Sequence, residues 1–219
     1  MAVLYSFRRC PYAIRARYTL ALLGHKVELR EVVLKDKPDA LLVLGGRSTV
    51  PQLVDGDERY QESKDIMFWA IQRKKLEQNG STIASQLWPD DVCMQTKILE
   101  WFDENDNDFK AWLDKYKYAD RFPSHSEAFY RGKAEAYLQK LEHQLSKTSF
   151  LLGDVMTLAD IAVFPFIRQF SAVDTVWFEN TQYQYLKLWL DKFLKSDVFL
   201  IVMKKYSQWY DGQESVIFP

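Results

Sequence analysis

A change of hydrophobic pattern near residue 80 constrains the fold of this chain more than any other feature. Before it, short strand-like apolar runs alternate with helical patterns in the order β-α-β-α-β-β-α. After about Pro89, the apolar residues keep only helical spacing, as in Ile98, Phe102 and Phe109. Strands that alternate with helices favour parallel pairing in one sheet. The sequence therefore predicts a small mixed α/β domain over residues 1–80 and an all-helical domain over residues 89–219.

The predicted elements of the first domain follow from turn and cap signals. They are strands over Val3–Phe7 and Val27–Val33, helices over Pro11–Leu23 and Pro38–Leu44, a hairpin over Pro51–Gln61 and a helix from Ser63. This order is the thioredoxin arrangement, with an antiparallel hairpin added to a parallel pair. The four residues Gln78–Ser81 favour turns and show no apolar period, so they predict a linker.

Composition limits the partners of the chain. Its 219 residues, 47% of them hydrophobic, are enough to bury a core, and 29 Lys and Arg against 30 Asp and Glu leave a net charge of −1. No apolar stretch reaches the roughly 20 residues of a membrane span, and Arg8 and Arg9 come too early for a signal peptide. We therefore expect a cytoplasmic protein with no nucleic-acid and no membrane partner.

Cys10 is the residue whose setting most suggests chemistry. It lies after the first predicted strand and directly before Pro11, a favoured first residue of a helix. The positive end of the helix dipole, together with Arg8, Arg9 and Arg15, favours a thiolate at this position. The alternative is a buried structural cysteine.

The second cysteine and the three histidines are weaker candidates for a functional role. Two cysteines make no disulfide framework, and Cys93, near a predicted helix start, has the setting of an ordinary semi-buried thiol. The residues His25, His125 and His143 have no spacing typical of a metal site, so no metal is expected.

The segment Tyr5–Ala13, with the sequence YSFRRCPYA, closely resembles the start of omega-class glutathione transferases, and its Cys10-Pro11-Tyr12 core resembles the active-site turn of glutaredoxins. The resemblance implies that glutathione is a co-substrate and that the protein is a homodimer. Ala13 stands where a dithiol glutaredoxin has its second cysteine, so any disulfide chemistry here is expected to be monothiol. Tyr5 and Tyr12 are possible secondary residues of the site.

Three further segments extend this resemblance to glutathione binding. It implies that Lys37 contacts the glycine carboxylate, and that a cis bond between Val50 and Pro51 lets the Val50 backbone pair with the cysteinyl unit. It also implies that Glu62 and Ser63 hold the γ-glutamyl end at a helix start. The plain alternatives are a solvated lysine, a trans proline at an edge strand, and an N-cap serine.

One motif of the second domain is expected to be structural. The segment Gly153–Ala162 resembles a folding motif shared by glutathione transferases, in which Thr157 and Asp160 form a capping box. We expect this segment to specify a buried helix rather than to touch substrate.

The favoured function is attack by the Cys10 thiolate on a glutathione mixed disulfide, with release by a second glutathione. Family resemblance suggests thioltransferase, dehydroascorbate reductase or deglutathionylation activity on a small-molecule or protein-thiol substrate. A second hypothesis is conjugation of electrophiles with Tyr5 or Ser6 as the hydrogen-bond donor to glutathione. A third is a non-enzymatic binding module of the same architecture.

Overall fold

The computed structural model describes residues 1–77 and 82–219, and the chain forms two compact units. The first unit comprises Met1–Ala84 together with Ser196–Pro219, and the second comprises Ser85–Lys195. The predicted linker, residues 78–81, lies outside the described residues. The predicted helical domain ran to residue 219, whereas the structure groups its last 24 residues with the first unit.

Five strands lie in the described residues of the first unit. They are β1 (Val3–Ser6), β2 (Val27–Glu31), β3 (Gln52–Asp55), β4 (Glu58–Tyr60) and β5 (Val216–Phe218). Its helices are α1 (Pro11–Leu23), α2 (Asp39–Leu42), α3 (Ser63–Glu77) and, near the C-terminus, α11 (Asp197–Val202). The short helix α4 (Thr82–Leu87) crosses the boundary between the two units.

The five strands form one mixed sheet in the order β4-β3-β1-β2-β5. Strand β1 pairs in parallel with β2 and antiparallel with β3, and β3 continues into β4 through the predicted hairpin. This confirms the thioredoxin-like arrangement predicted from the order of elements. Helix α1 ends at Gly24, whose φ of 72° places it in the left-handed region that glycine adopts without strain.

Neighbouring residues of β1 face opposite sides of the sheet, since side chains alternate along a strand. Ser6 is buried against α1, where its hydroxyl accepts a hydrogen bond from Arg17 Nε at 2.8 Å. Tyr5 belongs to the apolar cluster on the other face, with Leu41 of α2, Val50 and Trp209. Strand β1 therefore lies between two layers, and both of its sides are buried.

Strand β5 was not predicted. It pairs antiparallel with β2, so that Val216 lies opposite Leu29 and Phe218 opposite Val27. A run of three apolar residues is too short to show the alternation that marks a strand. Only the free edge of β2 makes this segment a strand, which is why local sequence pattern missed it.

The second unit is helical. Its helices are α5 (Val92–Asp103), α6 (Lys110–Lys117), α7 (Glu127–Leu145), α8 (Leu158–Ser171), α9 (Thr175–Glu179) and α10 (Gln184–Leu194). A π-helical segment, Glu104–Phe109, joins α5 to α6, and a 3₁₀ turn follows at Ala119–Arg121. In the described part of the chain, no helix is both long enough and apolar enough to cross a membrane.

Helix α8 is the buried centre of the second unit, and the predicted capping box of Thr157 and Asp160 is present at its start. Both side chains are buried, with exposures of 3% and 0%. The Asp160 carboxylate accepts hydrogen bonds from Leu151 N at 2.9 Å, from Thr157 N at 2.9 Å and from Trp189 Nε1 at 3.0 Å. Burial raises the pKa of the Asp160 carboxyl, and these donors oppose that rise. The Asp160 carboxylate thus connects helix α10 to the loop that precedes α8.

We expect Asp160→Ala to lower the free energy of unfolding by about 3 kcal/mol or more, because it leaves several buried N–H groups without an acceptor. Urea denaturation of both proteins measures the difference. The matched control is Asp154→Ala, which removes an exposed carboxylate six residues earlier and is expected to change stability by less than about 0.5 kcal/mol. An equal loss of unfolding free energy in Asp160→Ala and Asp154→Ala would contradict this structural role of Asp160.

Candidate functional site

The thiol of Cys10 lies at the start of α1, as the sequence predicted. Cys10 is the N-cap residue, Pro11 opens the helix, and the Cys10 amide donates to Phe7 O at 2.9 Å. Its half-buried sulfur donates to the carbonyl oxygen of Val50 at 3.6 Å. Two candidate residues that lie 40 positions apart in the chain are therefore in contact.

A buried ion pair holds the turn that carries Cys10. The Glu31 carboxylate accepts from the Arg8 amide at 2.7 Å through one oxygen and pairs with Arg17 through the other. Arg17 is fully buried; burial lowers its pKa, while the adjacent Glu31 opposes that shift. Arg17 also donates to Val202 O at 3.3 Å. The turn before the thiol is thus tied to β2, to α1 and to the end of α11.

A pocket of about 250 Å³ in the first unit collects most of the other predicted residues. The predicted residues that line it are Tyr12, Val50, Pro51, Glu62 and Ser63. The peptide bond between Val50 and Pro51 is cis, as the resemblance implied. Cys10 adjoins the pocket through its contact with the Val50 carbonyl.

One wall of the pocket is the start of α3. Ser63 is its first residue and is 3% exposed, while Glu62 before it is exposed. The first N–H groups of a helix have no acceptor within the helix, so this end attracts an anionic group. An exposed carboxylate beside such a helix start suits a ligand that carries both a carboxylate and an ammonium group.

Besides Cys10, which adjoins the pocket, Lys37 and Tyr5 are predicted residues that do not line it. Lys37 lies half-buried in the loop between β2 and α2. Tyr5 is buried in the sheet, where its hydroxyl accepts from Arg30 Nη1 at 2.5 Å and its ring meets Trp209 edge-on. Ser6, the other candidate hydroxyl, is bound to Arg17 on the opposite face.

Sequence reasoning missed three residues that line the pocket, namely Arg47, Thr49 and Gln61. Arg47 and Thr49 belong to a loop that begins at Gly45 and Gly46, both with positive φ. The glycine pair predicted a break in the chain. Arg47 is a basic residue between this break and the candidate Pro51, and that position was a usable signal that it lines the site. Gln61 gave no signal, because a polar residue after a hairpin strand is ordinary.

Two side chains of the hairpin hold the loop over residues 44–49 in place. The buried Gln52 amide donates to Arg47 O at 2.7 Å and to Thr49 O at 2.8 Å. Arg59 donates to Gln52 Oε1 at 2.9 Å, to Gly45 O at 2.8 Å and to the carbonyl of Leu44. These bonds satisfy backbone carbonyls of an otherwise exposed loop and set the position of the pocket wall.

The described residues offer no evident metal centre. Over residues 1–77 and 82–219, no three His, Cys, Asp or Glu side chains come together in a group that could hold a metal ion. His25 is buried, and its Nε2 lies 2.8 Å from Ala70 O, which makes it part of the packing around α3.

Comparison with known protein families matches both parts of the chain. A model of the glutathione S-transferase N-terminal domain matches residues 4–78, and a model of the C-terminal domain of the same family matches residues 100–192. The two matches occur in family order and together cover most of the chain. The protein therefore belongs to the glutathione S-transferase family.

Individual relatives agree with this assignment. Glutathione S-transferase F9 of Arabidopsis thaliana is 28% identical over 163 residues, which is 69% of this chain and 73% of the relative. A glutathione transferase family member from Pseudomonas fluorescens, solved with two glutathione molecules bound, shares the fold with a TM-score of 0.74 at 19% identity, covering 92% of each chain. Glutathione S-transferase-I with lactoylglutathione bound has a TM-score of 0.73 at 20% identity, covering 92% of this chain and 98% of its own.

We expect Gln52→Ala to speed tryptic cleavage after Arg47 about threefold or more, because the loop loses two hydrogen bonds that hold its carbonyls. Timed digestion followed by peptide mass spectrometry measures the rate. Cleavage after Arg121, in an exposed turn of the second unit, serves as the internal control. If both sites accelerate equally, or neither does, Gln52 does not hold this loop.

Proposed function

We propose that this protein is a glutathione-dependent thiol transferase or reductase of the cysteine type, similar to the omega class, with Cys10 as its nucleophile. The position of the Cys10 sulfur at the start of α1, 3.6 Å from the Val50 carbonyl oxygen and beside the pocket lined by Glu62 and Ser63, carries this proposal. A sulfur at a helix start, within reach of a glutathione-sized peptide, is suited to exchange with a disulfide.

The pocket residues divide naturally among the parts of glutathione. The γ-glutamyl end, with its carboxylate and ammonium groups, binds at Ser63 and Glu62. The cysteinyl unit pairs with the backbone of Val50 next to Pro51, which directs its sulfur towards Cys10. Lys37 binds the glycine carboxylate from the loop after β2. Fold relatives that hold glutathione or lactoylglutathione support this choice of ligand.

The chemistry is two successive thiol–disulfide exchanges. The Cys10 thiolate attacks the glutathione sulfur of a mixed disulfide, so that a bond from Cys10 to glutathione forms as the old disulfide breaks. The second thiol leaves as a thiolate and takes a proton from water. A second glutathione thiolate then attacks the glutathione sulfur of the adduct, releasing oxidised glutathione and restoring the Cys10 thiolate. Glutathione is the reductant, and the mixed disulfide is reduced.

Conjugation of electrophiles through Tyr5 or Ser6 is the alternative, and the geometry supports it less. Both hydroxyls are buried, both accept hydrogen bonds from arginines, and neither residue lines the pocket. A non-enzymatic binding module would need the same pocket but no reactive sulfur beside it. The position of Cys10 beside the pocket therefore favours thiol–disulfide exchange at Cys10 over both alternatives.

Thiol–disulfide exchange at Cys10 also bears on the compartment and the partners of the protein. Among the described residues, Cys10 and Cys93 form no disulfide, which suits a cytoplasmic protein working in a reducing compartment. Its second substrate is a small-molecule or protein-thiol adduct of glutathione. We also propose a homodimer, as the resemblance to omega-class transferases implies.

We expect wild-type protein treated with oxidised glutathione to gain the mass of one glutathione and to lose it on adding reduced glutathione. Cys10→Ala is expected to gain none, because the attacking sulfur is gone. Intact-protein mass spectrometry measures both. The matched control is Cys93→Ala, which removes the exposed second thiol and is expected to behave as wild type.

The opposite pattern, an adduct that survives in Cys10→Ala and disappears in Cys93→Ala, would reject Cys10 as the nucleophile. Absence of any adduct, combined with efficient conjugation of aryl halides that Cys10→Ala retains, would favour the alternative. Tyr5→Phe and Ser6→Ala then identify which hydroxyl acts.

We expect Ser63→Ala to raise the KM for glutathione about tenfold, with kcat at saturation nearly unchanged, because a hydrogen bond to a ligand carboxylate is lost. Steady-state kinetics at varied glutathione measures the two constants separately. The control is Ser48→Ala, a hydroxyl of the nearby loop that does not line the pocket. An unchanged KM in Ser63→Ala would place the γ-glutamyl group elsewhere.

A further inference from the structure

The last sixteen residues are built into the first unit and contact the loop that carries Lys37. Beyond strand β5, the amide of Trp209 donates to Glu31 O at 2.9 Å, which extends the attachment of this segment along β2. We call residues 204–219 the C-terminal strap. None of the sequence motifs used to assign the glutathione site lies in it.

Trp209 anchors the strap. Its indole is 6% exposed, its Nε1 donates to Gln213 O at 2.8 Å, and the Arg30 guanidinium lies 4.1 Å from its ring. The ring belongs to the same apolar cluster as Tyr5 and Val50, whose backbone adjoins Cys10. The strap is therefore anchored in the core beneath the cis-proline loop.

From this anchor, two polar side chains reach the loop that carries Lys37. Gln208 Nε2 donates to both the carbonyl and the carboxylate of Asp36, each at 2.9 Å. The Asp211 carboxylate accepts from the Asp39 amide at 2.8 Å and from the Ala40 amide at 3.0 Å, so it caps the start of α2. The strap thus holds the loop immediately on either side of Lys37 and Pro38.

Within the loop itself, the Asp36 amide donates to Val33 O at 2.9 Å, and Pro38 is buried. Residues 33–36 are exposed, so burial contributes little to fixing their backbone. A loop that must become ordered only when its ligand binds loses affinity, because the ordering entropy opposes binding. The hydrogen bonds from the strap add to this internal contact, so they reduce the ordering that ligand binding would otherwise require.

We propose that Asp211, assisted by Gln208, is a positioning residue that orients Lys37 towards glutathione, so that the C-terminal strap is a functional part of the glutathione site. Asp211 touches neither substrate nor the reacting sulfur, and it acts through the backbone of α2. The inference rests on the proposed function, because it assigns a support to one of the residues proposed to bind glutathione.

We expect Asp211→Ala to raise the KM for glutathione about three- to tenfold, with kcat and the melting temperature close to wild type, since one exposed cap is lost. Asp211→Asn keeps a single acceptor oxygen, so its KM for glutathione is expected to lie between those of wild type and Asp211→Ala. The matched control is Glu214→Ala, which removes an exposed carboxylate from the same strap.

A double-mutant cycle tests whether Asp211 acts through Lys37. If it does, the KM of Lys37→Ala is also raised, and adding Asp211→Ala to it changes the KM little further. Independent effects that multiply would overturn the proposed route. A fall in kcat together with a lower melting temperature would overturn it too, since that pattern marks a general structural role.

Failure of this inference can be told apart from failure of the proposed function. A raised KM in Lys37→Ala with an unchanged KM in Asp211→Ala overturns the role of the strap and leaves the glutathione site standing. An unchanged KM in both variants overturns the assignment of Lys37 as well. Wild-type protein that neither binds nor uses glutathione refutes both proposals.

Discussion

The buried pair of Glu31 and Arg17 is the interaction on which the rest of the first unit depends. The carboxylate of Glu31 pairs with Arg17 on α1 and accepts the amide of Arg8, while its backbone carbonyl accepts the amide of Trp209. Removing one partner of a buried pair typically costs about 3–5 kcal/mol, because the other charge is left without compensation. One residue of β2 therefore aligns the turn before Cys10, the first helix and the C-terminal strap.

The candidate site is assembled from three turns that leave the same sheet. The first turn carries Cys10, the second carries Val50 and its cis proline, and the third opens α3 at Ser63. The first two are held by side chains that lie outside the pocket: Glu31 supports the first, and Gln52 with Arg59 supports the second. Rigid support of this kind keeps a reactive group and its ligand contacts within the small tolerances that catalysis requires.

Local sequence pattern was sufficient where local physics decides the structure. The alternation of strands and helices predicted the mixed sheet, Gly24 marked the end of α1, and the capping box of Thr157 and Asp160 marked α8. It was insufficient for β5, whose three residues form a strand only because β2 offers a free edge. Contacts between residues far apart in the chain are decided by packing, and no window of the sequence contains both partners.

The sequence by itself determined that the chain has a thioredoxin-like part followed by a helical part, and that Cys10 lies at the start of a helix. Both follow from periodicity and from the conformational limits of glycine and proline, which act over a few residues. Only the tertiary structure decided that the Cys10 sulfur meets the Val50 carbonyl, and that Gln208 and Asp211 reach the loop of Lys37. Those contacts join residues 40 and about 172 positions apart, and the sheet that brings them together forms only when the whole unit folds.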